Sequence, residues 1–77
     1  MGALIYGEYI MSKQLLPHQE RVVQEKEELE KKYNALGAFR EGDTFKSLST
    51  NEQFWLNSQH YVMGLYLHVL NERITRF

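Results

Sequence analysis

The chain of 77 residues has no cysteine and a single proline, Pro17. Without cysteine there is no disulfide framework, no thiolate-ligated zinc or iron–sulfur centre and no thiol nucleophile. The redox compartment stays open, and the cytoplasm is the expected location. Neither sign of charge is in excess. Nine Lys/Arg against ten Asp/Glu give a formal net charge of −1, unlike the strongly basic balance of a protein that binds DNA or RNA polymers. No apolar run approaches the ~18 residues of a spanning helix, so no membrane partner is expected. The length excludes a second domain. A chain this short buries only about 60% of the surface its unfolded form exposes. Lacking disulfides, it is expected to find its missing burial in self-assembly.

No targeting signal is expected in the first residues. Residues 1–10 (MGALIYGEYI) are mildly apolar but lack a basic leader and contain Glu8. Tyr6 stands where a myristoylation signal requires Ser or Thr. Met11 offers an alternative start. Residues 1–14 are therefore read as an N-terminal extension and residues 15–77 as the folded domain.

From Pro17, which suits the first turn of a helix, nothing interrupts a helical pattern before Gly37. Leu15, Val22, Leu29 and Leu36 recur every seven residues, with Gln19, Lys26 and Tyr33 at the complementary seam positions. The remaining face is a solvated run of charge whose spacing allows Glu27–Lys31 and Glu28–Lys32 pairs. Residues 40–48 read as a turn broken at Gly42-Asp43, with Phe45 and Leu48 placed to plug its end. Ser49 and Glu52 have capping-box spacing. They open a second helix over residues 50–76, with Leu56, Met63, Leu70 and Phe77 in heptad repeat and Gln59, Tyr66 and Arg73 as alternates. Two such helices joined by about ten residues predict an all-α, antiparallel two-helix hairpin. Beyond its seam the second helix carries Phe54, Trp55, Tyr61, Val62, Leu65, Leu67, Val69 and Ile74. A helix apolar on nearly every side requires cover on nearly every side. The hairpin is therefore expected to assemble as a homo-oligomeric helical bundle, with Gly64 allowing close backbone approach.

Catalytic signatures are missing. There is no Gly-x-Ser-x-Gly and no glycine-rich phosphate loop. The histidines are His18, His60 and His68, none paired with another at helical ligand spacing. His68 and Glu72 have that spacing, but two ligands make a poor metal site, and an ordinary surface pairing explains them as well. No cofactor and no metal are expected, and the chain is not read as an enzyme.

Anion binding is better supported. An antiparallel hairpin brings Lys13, His18 and Arg21 toward Arg73 and Arg76, beside the positive end of the first helix dipole. The acids at that end are chiefly Glu20 and Glu72. Lys26 and Arg73, placed on the seam, each require a carboxylate or a ligand anion. The competing reading pairs Arg73 with Glu20 and lets Lys26 reach water along its stem. Tyr33, Tyr61, Tyr66 and Trp55 could stack on bases, although aromatics at helical spacing more often serve a core or an interface.

Residues 16–39 (LPHQERVVQEKEELEKKYNALGAF), then Phe45-x-x-Leu48 and Gln59-x-x-x-Met63-x-x-Tyr66-x-x-Val69-Leu70-x-x-Arg73-Ile74, resemble the helical-hairpin module of small phage anti-CBASS and anti-Thoeris sponge proteins. The likeness spans residues 16–77. It implies an oligomer, typically a hexamer, that binds cyclic oligonucleotide messengers of bacterial defence in pockets between protomers and does not cleave them. Carried onto this chain, the resemblance implies ligand contacts from His18, Arg21, Lys26, Lys31, Lys32 and Arg73. His18 would stack on a base, Lys31 or Lys32 would meet a phosphate or base edge, and Arg73 would meet a phosphate or stack on a base. Two other readings stand beside this one: a small oligomeric protein-interaction module without a nucleotide ligand, and a purely structural assembly subunit.

Overall fold

The computed structural model describes residues 14–77; the N-terminal extension, Lys13 included, lies almost wholly outside the described residues. Among the described residues three helices follow in order: α1 (Pro17–Phe39), α2 (Asp43–Lys46) and α3 (Thr50–Ile74). The two long helices pack antiparallel, so the expected hairpin is present.

α1 starts at Pro17 because a first-turn proline loses no hydrogen bond that the helix needs. The Leu16 amide at its N-cap donates to Gln19 Oε1 at 2.9 Å, which ties down the entering chain. α3 starts on the expected capping box. The Glu52 amide donates to Ser49 Oγ at 3.1 Å, and the Ser49 amide donates back to Glu52 Oε1 at 3.3 Å. α3 ends at Ile74 rather than Arg76, and the chain closes in a turn over residues 75–76. The connection is more ordered than a plain turn. Asp43-Thr44-Phe45-Lys46 winds into the single-turn helix α2, and Phe45 is buried there edge-on to Phe39. The Gln53 side chain fastens this connection to α3 by donating to the Leu48 carbonyl at 3.0 Å.

On α1 the expected seam holds. Val22 is buried, and Leu15, Gln19, Lys26, Leu29, Tyr33 and Leu36 are half-buried. On α3 the heptad Leu56, Met63, Leu70 and Phe77 also faces the partner helix, but its alternates are Gln53, His60, Leu67 and Ile74. Gln59, Tyr66 and Arg73, the residues expected there, are exposed. Apolar residues lie all around α3, so the pattern marks one row of the seam and leaves the neighbouring row undetermined. The core is thin: Val22, Leu70 and Ile74 form its centre, with Leu15, Val23, Leu29 and Phe77 packed against them. Leu70 is fully buried.

Surplus apolar surface remains on α3, as the composition of that helix demands. Phe54, Trp55, Tyr61, Val62, Leu65 and Val69 are each half or more exposed. Among the described residues, no helix is long and apolar enough to cross a membrane.

Candidate functional site

The antiparallel register is fixed by contacts along the whole hairpin. Near the open end Val22 meets Leu70 and Ile74. Further along, the Tyr66 hydroxyl donates to the Glu25 carboxylate, and Tyr33 stacks on His60 with ring centroids 4.1 Å apart. At the hinge Arg40 reaches Asn57. Continued toward the open end, this register sets His18 and Arg21 level with the last turn of α3, which carries Arg73. His18 and the cations Arg21 and Arg73 thus share one end of the molecule. All three are exposed, and no ion pair joins Arg73 to Glu20. Arg73 also leaves the seam. It forms one wall of a shallow hollow of about 260 Å³ with His68, Val69, Glu72 and Arg76.

The other cations behave differently. Lys26 does sit on the seam, and its ammonium meets Glu30 one turn away at 3.1 Å, a local solution to the cost of a half-buried charge. Lys31 and Lys32 are exposed on α1. The Glu27–Lys31 and Glu28–Lys32 pairs are not closed, in keeping with the small gain from pairing solvated charges. At 1.5 Å per residue, Lys32 stands roughly 16 Å along the helix from Arg21. A single hairpin therefore sets His18, Arg21 and Arg73 at one station and Lys31 and Lys32 at another, with Lys26 between them.

Two titrating groups at the open half are shifted. The hydrogen bond to Glu25 raises the Tyr66 phenol above its ordinary 10.0, with partial desolvation and the Glu25 charge adding to it and Arg73 pulling the other way. The Arg76 guanidinium, 3.0 Å from Glu72 Oε1, holds that carboxyl below the usual range, aided by its charge and by His68. His68 and Glu72 are thus surface neighbours of Arg76. The Tyr66 shift carries a sign. A phenol whose folded pKa exceeds its unfolded value contributes stability that is complete below pH ~10 and fades as pH rises through the folded pKa. The melting temperature should therefore fall above pH ~10. In Tyr66→Phe that alkaline component should be missing, and parallel melts of the two proteins from pH 8 to 11 check it.

Sequence reasoning did not find the cluster at the hinge. Arg40, at the C-cap of α1, donates from Nε to Asn57 Oδ1 at 2.6 Å, and its Nη1 lies 3.1 Å from His60 Nδ1. His60 in turn stacks on Tyr33 at an interplanar angle of 11°. The rings lie against the backbone of the facing helices. A Cβ on Gly37 would come within 3.1 Å of the His60 ring, and one on Gly64 within 3.1 Å of the Tyr33 ring. These side chains, with Tyr61, Gly64 and Leu65, line a hollow of about 490 Å³. Its signal in the sequence was Tyr33 on the α1 seam and a glycine on each helix. The partner residue could be named only once the α3 row was known. Among the described residues, no three His, Asp or Glu side chains are grouped to hold a metal ion.

Comparison with known proteins now bears on this geometry. The Sequestin family matches residues 16–76, which takes in all three helices. An uncharacterised 7.5 kDa protein from the denB–rIIB intergenic region of Enterobacteria phage T4 is 40% identical over 63 residues, covering 82% of this chain and 98% of the phage protein. No solved structure matches. The matched span begins at the N-cap of α1 and stops two residues after α3 ends, so the whole hairpin is the shared unit, and the chain belongs to the Sequestin family.

Proposed function

We propose that the protein captures cyclic di- or trinucleotide messengers of bacterial antiphage defence in the host cytoplasm and withholds them without cleaving them. The observation that carries this reading is the match to a family whose name denotes sequestration over the full hairpin. The distribution of cations supports it. His18, Arg21 and Arg73 are exposed at one end and Lys31 and Lys32 are exposed further along, so a ligand with two or three phosphates meets both stations only where copies adjoin. The apolar face of α3 supplies the means, since Trp55 at 62% exposure and Val62 at 60% are poorly suited to water. The oligomer would be a hexamer, as in the proteins that the sequence resembles. Arg73 would hold a phosphate through its planar fork, Lys31 or Lys32 would meet another, and His18 would stack on a base. Lys26 would join them by exchanging Glu30 for the ligand.

Calorimetry of the purified chain against a panel of cyclic di- and trinucleotides tests this, with native mass spectrometry for the assembly. At least one ligand should bind and return intact after heat denaturation. Arg73→Ala and Lys32→Ala should each weaken binding by about tenfold or more. Recovery of a linear nucleotide, or no heat with any ligand, refutes the reading. The exposed Phe54, Trp55 and Val62 also favour a second reading, a helical module that docks on another protein. A thermal-shift screen separates the two, because ligand at about 100 times Kd stabilises a binder by ~2.7 kcal/mol and leaves a pure adaptor unmoved.

A further inference from the structure

We propose that the hollow at the hinge end is a separate binding site for a phosphate monoester carrying a flat ring, a nucleoside monophosphate being the simplest case. This inference is independent of cyclic-nucleotide capture and lies at the other end of the hairpin from His18 and Arg73.

The chemistry of the lining sets the charge of the ligand. Arg40 is held in place by two groups that are not carboxylates, with Nε donating to Asn57 Oδ1 at 2.6 Å and Nη1 lying 3.1 Å from His60 Nδ1. Among the described residues no carboxylate lines the hollow, and none pairs with Arg40. The two bonds use Nε and one hydrogen of Nη1. They leave Nη2 and the other Nη1 hydrogen as charged donors without a partner, of the kind that phosphate and carboxylate accept from. With Oδ1 committed to Arg40, the Asn57 amide nitrogen remains a further donor. A held guanidinium with no carboxylate partner, beside an amide donor, suits an anion.

The size and the walls set the rest. The hollow is open to solvent, and its volume of about 490 Å³ exceeds what one phosphate fills. Tyr61 is 68% exposed and Leu65 51% exposed at its rim, which gives a flat ring an aromatic face and an apolar edge. A plain role for Arg40, as a cation completing the α1 C-terminus and bracing the hinge, uses the two bonds already made. It leaves the free prong and the open tyrosine face without work.

The test is an NMR titration of the full chain, following the Arg40 Nε–H, Arg73 Nε–H and His60 ring signals. The probes are adenosine 5′-monophosphate, inorganic phosphate and adenosine. The monophosphate should shift Arg40 and His60 saturably, phosphate should shift Arg40 with weaker affinity, and adenosine should shift neither. Arg40→Lys keeps the charge and loses the fork, and should weaken the monophosphate by about tenfold. Tyr61→Ser should weaken the monophosphate several-fold and leave inorganic phosphate unchanged. It also keeps the test open if the Arg40 variant does not fold. No saturable shift at Arg40, shifts confined to Arg73, or an unchanged monophosphate affinity in either folded variant overturns the proposal. None of these results bears on cyclic nucleotides, so the two readings fail separately.

Discussion

Replacing Leu70 with alanine should cost ~2–5 kcal/mol, the range for emptying a fully packed leucine site. Leu70 is the one side chain with no exposure at all among the described residues, and it sits between Val22 of α1 and Ile74 of its own helix. So small a core has no second layer to collapse into the gap. In a domain of this length each kcal/mol moves the melting temperature by roughly 4–8 °C, so the variant should melt more than about 10 °C below the parent, or not fold. Asn71→Ala, next door and exposed, should stay within about 0.5 kcal/mol. Melts followed by circular dichroism at matched protein concentration decide the matter. A Leu70→Ala protein that melts like the parent would mean that the helices meet along some other row.

The second large effect is expected at Gly64. Alanine there gains helix propensity of about 1 kcal/mol, but its Cβ would lie 3.1 Å from Tyr33 Cε1 and 3.4 Å from Tyr33 Oη. Tyr33 has little freedom to withdraw, since it is stacked on His60, and His60 rests against Gly37 and Arg40. Gly64→Leu should therefore destabilise by ~1–3 kcal/mol through overpacking. Pairing it with Tyr33→Ala should return much of the loss, because the leucine then fills the space of the ring. The double-mutant cycle reads that coupling directly. Additive losses would show that the two residues do not press on each other.

The helices, their direction and one row of the seam were legible because each rested on a local or strictly periodic signal. Pro17, the Ser49–Glu52 box and the α1 heptads are of that kind, and α1 is amphipathic enough to expose its phase. α3 is apolar around its whole circumference, so Tyr66 looked as good a seam residue as Leu67, and Arg73 as good as Ile74. Arg73 was thereby assigned a burial cost that it does not bear. α2 was unreadable because four residues are too few to show a period. The Arg40–Asn57–His60 cluster joins polar residues from opposite ends of a long connection, and no local pattern announces such a meeting. The cations at the open end were legible as a group from antiparallel geometry alone. Their station relative to Lys31 and Lys32 needed the register, which Tyr33–His60 and Glu25–Tyr66 supply.

Phe45 has a consequence for how copies of this chain would associate in the proposed oligomer. Hairpins with slack connections can trade arms, one copy lending its second helix to its neighbour, provided the joint straightens into a continuous rod. Here straightening would pull Phe45 away from Phe39 and unwind α2. It would also strip Gln53 from the Leu48 carbonyl. The joint is thus a clasp against exchange, and in the proposed oligomer each copy would enter as a finished hairpin with its own arm kept at home.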